Sequence, residues 1–146
     1  MVSADYDFAI KCGGPQFTSS DGLVYEMDNA TLGPATYFVS SDKRWAVSNV
    51  GLFTGTTNPQ YKSASSYQFT NTLESELYQT ARISASSLRY YGLGLENGNY
   101  TVNLKFSETA FEDTTTWKSL GKREFDVYIQ VCIKLLSTFQ NGSSAQ

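Results

Sequence analysis

From Tyr100 to Ser107 the chain alternates strictly: Tyr100, Val102, Leu104 and Phe106 are apolar or aromatic, and Thr101, Asn103, Lys105 and Ser107 are polar. A period of two puts one set on each face of a pleated strand, one face dry and one wet. Glu96-Asn97-Gly98 just before it carries the Asn-Gly signal of a tight hairpin turn. Leu88–Leu95 and Tyr100–Phe106 are therefore expected to form an antiparallel hairpin. The same alternation recurs over Glu124–Leu135, where Phe125, Val127, Ile129, Val131, Ile133 and Leu135 share a face. No Gly, Pro or Asn interrupts this run, so it reads as one strand of about twelve residues, well above the usual length.

Further strands are expected at Asp7–Cys12, Leu23–Tyr25, Tyr37–Val39, Trp45–Phe53 and Gln79–Ile83, with turn residues between them. Gly13-Gly14-Pro15 ends the first, and Gly55–Ser66 reads as a polar loop. Helical periodicity is confined to Leu73–Leu77, enough for one turn. The fold class that follows is all-β, an antiparallel β-sandwich in a single domain. A chain of 146 residues with 40% hydrophobic residues can build such a core unaided.

Several function classes drop out. The sequence contains no His, which removes Ser-His-Asp and Cys-His catalysis and the commonest zinc ligand. The formal net charge is −3 and no Lys/Arg run exists, so nucleic-acid binding lacks its electrostatic footprint. Gly92–Gly98 has neither the spacing nor the βαβ setting of a dinucleotide loop. Cys12 and Cys132 are too far apart in sequence for a CxxC redox motif and read as buried thiols or a disulfide. No cofactor and no metal is expected. The segment itself shows neither a leader peptide nor an apolar run long enough to cross a membrane.

Three N-x-[ST] sequons, at Asn29, Asn99 and Asn141, are glycan acceptors if the chain enters the secretory pathway. Aromatic residues make up 14%, with ten Tyr and nine Phe against two Trp, and Tyr offers a flat apolar ring with a polar tip. Sugar recognition uses such rings together with planar polar groups. The candidates for ligand contact are Trp45, Tyr78, Tyr90, Tyr91 and Phe111. Tyr90 and Tyr91 are adjacent, so they point to opposite faces of their strand. Packing in a core or on a sheet is the ordinary role of each of these residues. Glu108, Glu112 and Asp113 flank Phe111; carboxylates in such a loop are as a rule solvated, and only a separation of about 5–10 Å would suggest a glycosidase. Arg82 and Arg89 read as exposed strand-end charges that would suit acidic sugars.

Six stretches together resemble the malectin-like domain of plant leucine-rich-repeat receptor-like kinases. They are Ile10–Pro15 (IKCGGP), Trp45–Gly51 (WAVSNVG), Glu76–Arg82 (ELYQTAR), Leu88–Asn97 (LRYYGLGLEN), Tyr100–Glu108 and Phe125–Gln130 (FDVYIQ). The resemblance runs from about Asp7 to Gln130 and implies a jelly-roll-like sandwich with a carbohydrate-binding heritage. It divides the chain into an extension at 1–6, a partial malectin-like domain at 7–130 and a divergent strand and disordered tail at 131–146. After Gln130 the family has a Gly-containing turn that is not found here. Of the aromatics that hold sugar in the animal relative, Phe111 is matched, Trp45 lies near another, and Ile83 and Ala110 stand where the family has Tyr.

The resemblance implies an extracellular module of a plasma-membrane receptor-like kinase that recognises cell-wall-type oligosaccharides and is not itself an enzyme. The alternative is a protein-interaction or structural module that has lost sugar binding and contacts a co-receptor. Convergence of Trp45, Tyr78 and Phe111 on one concave surface would favour the first, and separate burial the second.

Overall fold

The computed structural model describes residues 7–69, 72–109, 123–130 and 133–139. The chain runs β1 (Ala9–Cys12), β2 (Phe17–Thr18), β3 (Val24–Asp28), β4 (Ala35–Val39), β5 (Trp45–Val50), β6 (Lys62–Ala64), α1 (Ser75–Tyr78), β7 (Thr80–Arg82), β8 (Ser87–Gly92), β9 (Arg123–Ile129) and β10 (Ile133–Phe139). The all-β, sandwich-like reading holds, and the one helix among the described residues is the single turn expected near Leu73–Leu77.

Among the described residues the strands form four sheets, ordered β1-β3-β2, β4-β5-β8, β6-β7 and β9-β10. Every pairing is antiparallel except β1 with β3, which run parallel with Ala9 opposite Tyr25 and Cys12 opposite Asp28. The intervening β2 lies on the far side of β3, so the return to β1 is a crossover and not a hairpin.

The β4–β5 hairpin shows how local chemistry sets register. Lys43 takes a left-handed φ of 57°, and the Ser40 N–H donates to the Trp45 carbonyl at 3.0 Å. The Ser40 hydroxyl donates to Asp42 at 2.6 Å and accepts from the Arg44 and Trp45 N–H groups, both at 3.2 Å. These bonds place Phe38 opposite Val47 and Thr36 opposite Asn49. Trp45, Val47 and Asn49 then share the inner face of β5, while Ser48 and Val50 share the outer one with Tyr37 of β4 and Arg89 and Tyr91 of β8.

Among the described residues the interior has two separate cores. Leu32, Trp45, Val47 and Tyr61 form the first, with Phe8, Ile10, Phe38, Phe53 and Tyr90 packed against it. Tyr25, Leu77 and Tyr78 form the second, with Ala9, Phe17 and Phe69 around them. Between them β1 passes close to β7. Gly13, at φ +72°, lies so near that a Cβ there would meet the Ala81 carbonyl oxygen at 2.6 Å. No side chain fits this contact, which explains the first glycine after β1.

Three expectations are corrected. Tyr100–Ser107 is not a strand: among the described residues nothing pairs with it, and the expected hairpin with Leu88–Leu95 does not form. The reason lies upstream of the Asn-Gly pair. Leu93 N–H donates to the Arg44 carbonyl at 2.8 Å, Gly94 turns at φ 68°, and the chain leaves the line of β8 before it reaches Asn97. Tyr100–Ser107 is held by side chains instead: the Tyr100 hydroxyl donates to the Glu96 carbonyl at 2.7 Å and the Ser107 hydroxyl to the Tyr78 carbonyl at 2.8 Å. Second, the single long strand over Glu124–Leu135 is two strands. Gln130 turns at φ 54° and β10 returns along β9, with Ile133 opposite Ile129 and Phe139 opposite Arg123. Third, β6 lies inside the stretch read as a polar loop; its pairing with β7 brings Ser63 opposite Ala81.

Candidate functional site

The inner and outer faces of the β4-β5-β8 sheet hold different chemistry. On the inner side, Asp28 at the end of β3 and Arg82 at the end of β7 form an ion pair whose side chains are wholly buried. Arg82 donates from Nε to Asp28 Oδ2 at 2.9 Å, and from Nη2 to Oδ1 at 2.5 Å and to the Asp28 carbonyl at 3.3 Å. Oδ2 also accepts the Tyr90 hydroxyl at 2.6 Å and the Gly13 N–H at 3.3 Å. Arg82 is thus not the exposed strand-end charge expected from the sequence. Its partner Asp28 lies at the end of β3, beyond the strand expected at Leu23–Tyr25.

The Cys12 thiol sits beside this network. Burial pushes its pKa up to about 11, although the Tyr90 hydroxyl bonds to it. Tyr90 is raised beyond the ordinary tyrosine range, first by burial and then by Cys12 and Asp28. Cys12 is a free thiol, and Cys132 lies outside the described residues. Both groups hold their protons more firmly than when exposed, and the cluster joins β1, β3, β7 and β8 in the interior.

The sequence candidates fall in different places. Trp45 is 1% exposed in the first core, its indole N–H donating to Glu26 Oε2 at 2.7 Å. Tyr78 is buried in the second core, 6.2 Å from the Phe69 ring. Tyr90 packs against Trp45 at 6.3 Å and spends its hydroxyl on Asp28. These three do not share a concave surface. Phe111, Glu112, Asp113 and Asn141 lie outside the described residues. Asn29 and Asn99 are both exposed, as are Thr31 and Thr101 of their sequons.

Tyr91 is the candidate that faces water. On the outer face its ring meets that of Tyr37 edge-on, at 6.1 Å and 65°. Tyr37 is 58% exposed and Tyr91 37%. The Ser48 hydroxyl lies 3.1 Å from the Tyr91 hydroxyl. That contact, reinforced by Arg89, holds the Tyr91 phenol below its ordinary pKa. Tyr37, Ser48 and Arg89 stand opposite one another across the three strands. Sequence reasoning missed Tyr37 and Ser48, because only the register of β4 on β5 brings them to Tyr91.

Among the described residues no group of His, Cys, Asp or Glu is arranged to hold a metal, and no helix is long and apolar enough to cross a membrane. The family profile described as Malectin domain matches residues 6–138. Two probable LRR receptor-like serine/threonine-protein kinases of Arabidopsis thaliana are each 56% identical over 126 residues, covering 85% of this chain and 12% of theirs. A third from the same plant is 40% identical over 134 residues, covering 86% and 13%. The chain therefore spans about an eighth of the length of these relatives. No solved structure matches.

Proposed function

The chain belongs to the malectin-domain family, and from that premise we propose that it is a carbohydrate-binding module carried on the extracellular side of a receptor-like kinase. A malectin domain is a non-catalytic module, and the matched segment occupies only 12% of relatives named as kinases. The activity sought is therefore binding. The observation that carries the reading is the Tyr37–Tyr91 pair with Ser48 on the outer face. Aromatic rings offer flat apolar area to the C–H face of a pyranose at little conformational cost, and hydroxyls beside them read its oxygens. Oligosaccharides of the cell-wall type are the ligand class this reading takes, with Asn29 and Asn99 as glycan acceptors outside the patch.

Calorimetric titration of the chain with β-linked gluco-oligosaccharides and their acidic counterparts tests it. Saturable heats that disappear with Tyr91→Ala are expected. Flat titrations across the whole panel would overturn it.

A second reading, a protein-interaction module, is favoured by one observation: Trp45 and Tyr78 are buried in separate cores. A co-receptor protein would then occupy the outer face. Sugar binding that depends on Tyr91 separates the two readings in favour of the first.

A further inference from the structure

We infer that Tyr37 and Tyr91 form a site of oxidative coupling, at which a one-electron oxidant of the peroxidase class joins the two rings by a carbon–carbon bond and staples β4 to β8. The inference goes beyond the binding reading and holds whatever the outer face binds. Tyr37 and Tyr91 belong to strands that are not neighbours, since β5 runs between them. The positions of β5 beside them are Ser48, opposite Tyr37, and Ala46, opposite Tyr91. Both of these side chains are small, so the two rings close over β5 and meet edge-on, at 6.1 Å and 65°. Ala46 between them is wholly buried. The ring partners of Tyr25, Tyr61, Tyr78 and Tyr90 are instead Phe or Trp, and none of those tyrosines is open to solvent as Tyr37 is.

Coupling needs two phenols in contact, access for the oxidant and an electron that leaves readily. Both rings are exposed. The Tyr91 phenol, drawn below its ordinary pKa by Ser48 and then by Arg89, gives up its proton and with it an electron more readily than a free phenol. Each ring loses one electron and its hydroxyl proton, which leaves a neutral radical shared between the oxygen and the ortho carbons. The two radicals pair in a bond between one ortho carbon of each ring. The hydrogen on each bonded carbon then leaves as a proton and the oxygen of that ring takes one up, which restores two phenols. The two electrons and two protons released reduce one hydrogen peroxide to two waters, with a haem peroxidase as the one-electron carrier. Rings already in contact couple within the chain in preference to meeting a second copy. The new bond closes the loop that runs from Tyr37 to Tyr91 and removes that loop's freedom from the unfolded chain.

The test treats the full chain, in dilute solution, with hydrogen peroxide and a haem peroxidase. A monomer lighter by two hydrogens, with the blue fluorescence of a biphenol and a raised melting midpoint, is expected. Its yield should not change over an about tenfold dilution of the protein, as an intramolecular step requires. Tyr37→Phe and Tyr91→Phe each keep the ring, remove the hydroxyl and should lower the yield at least about tenfold. Tyr100→Phe and Tyr128→Phe, at exposed tyrosines elsewhere, should leave it unchanged. Matching melting curves before oxidation establish that all four variants are folded. A product that persists in Tyr37→Phe, or that joins two copies through Tyr128, overturns the inference. So does an unchanged chain mass in a mixture that couples added N-acetyltyrosine. None of these outcomes depends on sugar, so the binding reading stands or falls by its own titrations.

Discussion

Arg82 Nη2 lies 2.5 Å from Asp28 Oδ1, and neither side chain reaches solvent. Taking two charges out of water is costly, and only their mutual attraction and the added bonds from Gly13 and Tyr90 offset it. Removing one partner strands the other. Arg82→Met is expected to cost about 3–5 kcal/mol in urea denaturation, because the Asp28 carboxylate is left buried with only those two donors. The double variant Arg82→Met/Asp28→Leu should recover most of that loss. If the double variant is no more stable than the single one, the pair contributes something other than mutual neutralisation.

The thiol and phenol beside this pair predict how stability depends on pH. Cys12 rises from the ordinary 9.0 to about 11, and Tyr90 is raised further, both chiefly by burial. A raised pKa means that the folded state holds the proton more firmly than the unfolded chain. The contribution is therefore fully present below pH about 9 and is lost as pH rises through about 11. Denaturation midpoints should fall across that window, and Cys12→Ala should flatten part of the fall. Iodoacetamide at pH 8 should label native Cys12 far more slowly than the unfolded chain, since the thiolate is the reactive form.

How much of this was legible beforehand depends on whether the signal is local. The strands at Tyr37–Val39 and from Trp45 onward are written in consecutive residues, and β4 and β5 contain them, although β5 ends at Val50 and not at Phe53. Alternation at Tyr100–Ser107 is equally clear, yet it records only which face a strand would show. Whether a partner lies alongside was decided by Leu93 and Gly94, which carry the chain off β8 first. Gln130 is a similar case: a non-glycine turn at φ 54° leaves no mark in the sequence, so two strands read as one. The pairing of Asp28 with Arg82 spans 54 residues and was invisible for that reason. Of the candidate aromatics, adjacency alone separated Tyr90 from Tyr91, inward and outward. Nothing local could reveal that Trp45 and Tyr78 would be enclosed in different cores.

That enclosure separates stability from binding. Trp45→Ala removes an indole that is 1% exposed, stacked near Phe38 and Tyr90 and bonded to Glu26, and is expected to cost about 3–5 kcal/mol. Tyr37→Ala and Tyr91→Ala remove rings from the open face and should each change stability by no more than about 1 kcal/mol. Thermal melts of the three variants, set beside sugar titrations, check this. A large loss of stability at Tyr91, or none at Trp45, would contradict the assignment of inner and outer faces.

Asn49 presents the reverse problem to Arg82, polar groups buried with no hydrogen-bond partner among the described residues. It is 1% exposed on the inner face of β5, between Thr36 and Leu88 in register, and neither its Oδ1 nor its Nδ2 finds a hydrogen bond. An unpaired buried donor or acceptor costs about 1–3 kcal/mol, because the bonds to water lost on folding are not replaced. Leucine has the same branched arrangement of side-chain heavy atoms, is bulkier, and has no such requirement. Asn49→Leu is therefore expected to raise stability by about 1 kcal/mol or more, despite replacing a native core residue. The urea midpoint measures it, with the slope of the transition unchanged. A lower midpoint would mean that the amide is solvated by an internal water that leucine expels, and high-resolution density at Asn49 would show that water directly.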